Sequence, residues 1–255
     1  AETARARLGI PPEKVRVVYG GLSLDGYRRS PLPFDPPVVG YLCRMSEYFG
    51  LGILFDAFLR LKRDSRFKGL RLHLAGGSSG EDKKFIRKML RNVSRYGFEN
   101  DVRIFRRFDK ANRIEFLKSL TLLSVPAPAG EAFGAFQAEA LAAGVPVVQP
   151  DAGGSPEFVA ATGGGMIYRP NTGEALAHAW ASLLADPDRL RELGARGREA
   201  VLKKYSLSGM TETMIGIYRM LLPKQRKADG SGRPAQSRLH AQAPLLLLMV
   251  CIIHR

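Results

Sequence analysis

Between Pro37 and Tyr168 the chain repeats one pattern: a short apolar run, a turn, then a longer stretch with apolar residues at helical spacing. Runs at Val38–Cys43, Leu70–Ala75, Val102–Phe105, Thr121–Val125, Val145–Gln149 and Gly165–Tyr168 predict strands. Leu51, Leu54, Phe55, Phe58, Leu59 and Leu61 predict a helix over Leu51–Lys62, with further helices over Glu81–Tyr96 and near Asn112–Leu120. Glu81 and Asp82 stand where a helix N-terminus favours negative charge. Strands without polar alternation are buried on both faces, so the segments between them must cover both sides of a parallel sheet.

The fold class expected is therefore α/β, a doubly wound parallel Rossmann-like sheet. Three regions follow. Residues 1–36 read as an interdomain linker with one strand, Val15–Val18, and a Pro-rich stretch at Pro31, Pro33, Pro36 and Pro37. Residues 37–222 read as the Rossmann-like domain. Residues 223–255 read as a basic tail, disordered or loosely docked, opened by Lys224-Gln225-Arg226-Lys227. With 45% hydrophobic and 25% charged residues, the chain is neither disordered nor fibrous. The net charge of +15 favours anionic partners, although the tail carries a third of it. The basic stripe Lys83, Lys84, Arg87, Lys88, Arg91 and Arg95 reads first as a solvated helix face, with peripheral contact to an anionic membrane as the alternative and no specific nucleic-acid site.

Cys43 and Cys251 lack the spacing of a metal site, and Cys43 reads as a small core residue. His178 reads as a solvated side chain, and Trp180, Leu183 and Leu184 as core. No signal peptide is read at Ala1, and the apolar run Leu245–Ile253 falls short of the roughly 20 residues that span a bilayer, so a cytoplasmic location is expected. Gly76-Gly77-Ser78-Ser79-Gly80 follows a strand but does not fit the dinucleotide pattern.

A doubly wound sheet binds ligands outside the carboxyl ends of its strands. The loop after Val125 holds Glu131 and runs into a helix that contains Glu139. Seven residues separate the two glutamates. A helix N-terminus between them offers the amides of Gly134 to Phe136 to a phosphate. Carboxylates on either side suit hydroxyl groups, and together these parts describe a sugar, a diphosphate and a ribose.

Glu131-x7-Glu139, followed by Ala140-Leu141-Ala142-Ala143-Gly144-Val145-Pro146-Val147-Val148, resembles the signature of the retaining GT-B glycosyltransferases of family 4 (glycosyl transferases group 1). Leu8 to Val15 and Val17-Val18-Tyr19-Gly20-Gly21 resemble that family's entrance to its second, C-terminal donor-binding domain. Gly40-Tyr41-Leu42-Cys43-Arg44 resembles its first strand, and Gly153-Gly154-Ser155-Pro156-Glu157 and Thr162-Gly163-Gly164-Gly165 its later turns. The matches run in order over about residues 8–222 and imply one half of a GT-B architecture.

The resemblance implies roles. Arg44 would neutralise the diphosphate, Glu131 would hold sugar hydroxyls, and Glu139 would bind the ribose. The amides of Phe133, Gly134 and Ala135 would line the sugar and distal phosphate. Gly154 would also contact the donor, and the loop near Arg107 and Phe108 would choose the base. The donor is a nucleotide-diphosphate sugar, and neither a cofactor nor a metal is expected. The family's acceptor domain, or a partner chain supplying it, is the expected partner, and without it this chain would be inactive. The alternative is a non-catalytic nucleotide-sugar-binding module. Two departures stand out. Phe49 occupies the position of a second diphosphate cation, a lysine, for which Arg106 and Arg107 are candidate replacements. Ser23 stands where an aspartate is common.

Overall fold

A computed structural model describes residues 11, 15–107, 109–221 and, as backbone, 247–250. These fall into two compact units, one of residues 22–206 and one drawing on residues 1–21 and 207–255. The larger unit holds strands β2 (Val38–Leu42), β3 (Arg71–Ala75), β4 (Val102–Phe105), β5 (Leu122–Leu123), β6 (Val147–Pro150) and β7 (Gly165–Tyr168). They form one sheet in the order β4-β3-β2-β5-β6-β7, and every pair is parallel. The helices between and after them are α1 (Leu51–Lys62), α2 (Gly80–Arg95), α3 (Lys110–Lys118), α4 (Ala135–Ala142), α5 (Ser155–Thr162), α6 (Gly173–Leu184) and α7 (Pro187–Lys204).

The connections through α1 and α2 step outward from β2 in one direction, and those through α3, α4 and α5 run in the other. Right-handed crossovers therefore place the two sets on opposite faces. The direction reverses between β2 and β5, and a crevice opens there at the carboxyl ends. The expected α/β class and all six expected strands are present.

β2 and β6 are buried along their whole length, as their near-continuous apolar runs require. The core gathers Tyr41, Leu54, Phe55, Phe58, Leu72 and Leu74 with Leu176, Trp180 and Leu183 of α6. Each fully buried side chain of this size contributes about 1.5–3 kcal/mol. Trp180 also donates from Nε1 to Ser124 Oγ at 2.8 Å, tying α6 to the end of β5. Lys62 is buried at the end of α1, where Asp101 lies 2.8 Å away and the Lys68 carbonyl accepts from the same ammonium.

Two boundaries differ from the sequence reading. The compact unit begins at Leu22 rather than Pro37, because the Pro-rich stretch packs instead of linking. Tyr27 is buried, Leu32 and Phe34 lie against the core, and Thr121 Oγ1 bonds to the Pro33 carbonyl. β5 is only two residues long, because the chain leaves the ladder after Leu123. Gln149 Oε1 on β6 then accepts the Val125 N–H at 3.3 Å, replacing a lost backbone partner.

The smaller unit holds β1 (Val15–Val18), β8 (Leu247–Val250) and α8 (Leu207–Leu221). β1 and β8 pair in parallel, and Gly21 N–H points to Met210 Sδ at 3.2 Å. Four residues of the basic tail run as a strand, while 222–246 and 251–255 lie outside the described residues. Among the described residues no helix is long and apolar enough to cross a membrane.

Ser124→Ala should leave the buried Trp180 N–H without an acceptor and lower stability by about 1–3 kcal/mol. Urea unfolding should show this as a lower midpoint with an unchanged slope.

Candidate functional site

Three loops meet at the carboxyl edge, after β2, β5 and β6. The loop after β5 is closed by backbone contact with the loop after β6. Gly154 N–H donates to the Glu131 carbonyl at 2.7 Å, and a Cβ on Gly154 would lie 2.2 Å from the Ala132 carbonyl oxygen. Gly154 therefore holds the Glu131 loop in place through its backbone.

Glu131 follows that closure. Its side chain is half-buried, and burial raises its carboxyl above the ordinary range. It lies close enough to Cys43 and Tyr41 for its charge to oppose ionisation of both. The Cys43 thiol, half-buried as a core-side residue, is pushed up to about 12, chiefly by burial. It is a packing group rather than a nucleophile at neutral pH.

Phe133 turns inward, its ring 5.9 Å from Phe158 and 5.7 Å from Tyr205. This anchors the entrance to α4. Gly134 is the N-cap in the left-handed region, φ 64°, with no side-chain cap. Ala135 opens the helix. First-turn amides of a helix lack intrahelical acceptors, so this end carries partial positive charge.

Arg44 leaves the end of β2, and its side chain is 55% exposed. Its Nε lies 3.0 Å from Asp82 Oδ2 and its Nη2 3.1 Å from Ser79 Oγ. Asp82 in turn accepts from the Ser79 N–H at 2.6 Å and from its hydroxyl at 2.8 Å. These bonds, the backbone one foremost and Arg44 after it, hold the Asp82 carboxyl below its usual value.

Glu139 sits in the second turn of α4, its side chain only 13% exposed. Its Oε2 lies 3.2 Å from Arg113 Nε of α3. The Tyr27 hydroxyl lies near both charges, and is pushed up to about 12 by burial first and then by the Glu139 charge. Neither Tyr27 nor Arg113 carries a signal in the sequence, since they are far apart in the chain and meet only through the fold. Asp82 could be read from Ser79-x-x-Asp82, which has helix-start spacing.

The other expectations are placed as follows. Phe108 lies outside the described residues. Arg106 and Arg107 are exposed beyond β4, on the outer side of β3 from the crevice. Phe49 packs against the core and meets Tyr48 edge-on at 5.0 Å, so no cation stands there. Ser23 Oγ bridges Lys110 Nζ at 2.9 Å and Asp25 Oδ2 at 3.2 Å, so a carboxylate reaches that turn from two residues on. His178 is exposed, as are the six basic residues along α2.

The doubly wound parallel sheet reverses direction between β2 and β5, and the glycine-capped N-terminus of α4 stands at that reversal point. The glycosyl transferases group 1 family matches residues 27–200, and the chain belongs to that family. It is 30% identical over 220 residues to D-inositol 3-phosphate glycosyltransferase of Segniliparus rotundus, covering 83% of this chain and 48% of that protein. Sucrose-phosphate synthase from Thermosynechococcus elongatus superposes with a TM-score of 0.73 at 26% identity, covering 86% of this chain and 56% of that one. Anabaena Alr3699/HepE in complex with UDP and glucose has the same fold, with a TM-score of 0.72 at 23% identity over 86% of this chain and 61% of that one. The chain thus spans about half to three fifths of the length of these proteins.

Two outcomes are expected. Gly154→Ala should destabilise by about 1–3 kcal/mol or more through its clash with the Ala132 carbonyl, read by thermal melting. Asp82 has a folded pKa below its unfolded one, so its stabilisation is present above the ordinary aspartate value of about 3.9 and fades as pH falls through the folded pKa. Asp82→Asn should therefore lose stability at pH 7, with the gap to wild type narrowing as pH falls below about 3.9, in paired urea titrations.

Proposed function

We propose that residues 22–206 form the donor-binding domain of a retaining, family 4 glycosyltransferase, the C-terminal half of a GT-B enzyme, and that the ligand is a nucleotide-diphosphate sugar. The observation that carries this reading is the glycine-capped N-terminus of α4 with Glu131 before it and Glu139 within it. The diphosphate lies against the amides of Phe133, Gly134 and Ala135. Arg44 faces it from β2. Glu131 takes hydroxyls of the sugar, and Glu139 takes the ribose. As the bond to the leaving diphosphate breaks, negative charge grows where fixed amides and a guanidinium already stand. No metal is assigned a part in this reading. The family likeness assigns acceptor positioning to a further domain, and contact between the two reacting groups is a large part of such catalysis.

One observation favours a second reading, a module that binds nucleotide-sugar without transferring it. Phe49 is committed to packing, and the leaving group has one fewer cation than the family pattern provides.

Calorimetry with uridine, guanosine and adenosine diphosphates tests the first reading. At least one should bind, and Glu139→Ala should weaken that binding by about 1.5–3 kcal/mol. A folded protein that binds none of them would overturn the proposal. A radiolabelled donor separates the two readings: release of sugar above the blank, raised further by an added acceptor domain, supports the enzyme, and intact donor throughout supports the module.

A further inference from the structure

The residues around Glu139 assign a task to two side chains that the sequence pattern leaves unassigned. Glu139 is a carboxylate with little exposure in the second turn of α4. A carboxylate so placed needs partners in order to stay charged. Two arrive from separate parts of the chain: Arg113 from α3 and Tyr27 from the segment that precedes the sheet. Tyr27 is itself buried, and the chain beside it is fixed by Arg198 Nη1, which donates to its carbonyl at 2.9 Å. The hydroxyl of Tyr27 is thus presented from an anchored backbone. Arg113 is held by α3, whose first turn is capped by Asp109 accepting from Asn112 N–H at 3.1 Å.

We propose that Arg113 and Tyr27 are positioning residues that fix the Glu139 carboxylate, ionised and in one orientation, to accept both hydroxyls of a ribose diol. The inference rests on the donor-site reading given above and deepens it. A carboxylate has about four lone-pair positions. Arg113 approaches Oε2 and the Tyr27 hydroxyl stands near the same carboxylate, so the protein engages one of its oxygens and lone pairs remain for a ligand. Two neighbouring hydroxyls, both donors, match two remaining acceptor positions, and one hydroxyl alone does not. Without Arg113 the carboxylate would lose its opposite charge and its fixed orientation together. Selectivity for ribose over 2′-deoxyribose would then fall further than affinity for the diphosphate.

The test compares uridine, guanosine and adenosine diphosphates with their 2′-deoxy forms by calorimetry. The proteins are wild type, Arg113→Gln, Arg113→Lys and Tyr27→Phe. For whichever base binds, wild type should prefer the ribo form by about tenfold, the scale of one hydrogen bond to a charged group. Arg113→Gln should bring that preference to within about twofold while the deoxy form binds nearly as before, and Arg113→Lys should restore part of it. Tyr27→Phe, a milder change, keeps the test open if Arg113→Gln fails to fold, and should also lower the ratio. A ribo preference unchanged in the folded variants, or a uniform loss for both forms, overturns this assignment and leaves the donor site standing. Failure of wild type to bind any of the nucleotides overturns the donor site itself and this assignment with it.

Discussion

A Cβ at Gly50 would lie 1.9 Å from the Pro126 carbonyl oxygen, and one at Gly154 would lie 2.2 Å from that of Ala132. At both points one loop's backbone rests directly on another's, with no room for a side chain between. These contacts join the loops after β2, β5 and β6 into one edge. The N-terminus of α4 and the Glu131 carboxyl take their places from it. β5 itself is too short to do this, with two residues in the ladder, so position is passed through loop backbone and through Gln149, which bonds to Val125. Small displacements there would move the proposed phosphate amides and the proposed sugar ligand together.

Two charged groups at this edge, Arg44 and Glu139, are already paired within the protein. Arg44 rests on Asp82 and Ser79, and Glu139 on Arg113 and Tyr27. Half-buried charge is costly unless it is met by opposite charge or hydrogen bonds. The pairs keep side chains charged and oriented before any ligand arrives, so less ordering is left for binding to supply. Phe49 marks the opposite choice, with core packing where the family pattern has a cation. Among the described residues, Arg44 and the N-terminus of α4 are then the positive groups left for the proposed diphosphate.

The order of strands and helices is legible in the sequence, because six apolar runs separated by amphipathic stretches admit few arrangements. The chain spacing of Glu131 and Glu139 is equally legible, with one glutamate before the helix and the other within it. The limits of β5 and the role of residues 22–36 are not. Pro-rich composition suggests a connector, yet Tyr27, Leu32 and Phe34 bury against the unit, a fact set by the surface they meet rather than by their own pattern. Arg113 stands on a helix without a strong apolar stripe and looks like any surface arginine until α3 brings it to Glu139.

By itself the sequence determined the fold class, the family's motif order and the chain spacing of the two candidate glutamates, because hydrophobic period and motif spacing are local quantities carried along the chain. Only the tertiary structure decided which charges face each other at the crevice, where the compact unit begins, and that Phe49 turns into the core. Those outcomes depend on contacts between residues distant in sequence. Such contacts are selected by the packing of the whole sheet and its helices, and no stretch of the chain encodes them alone.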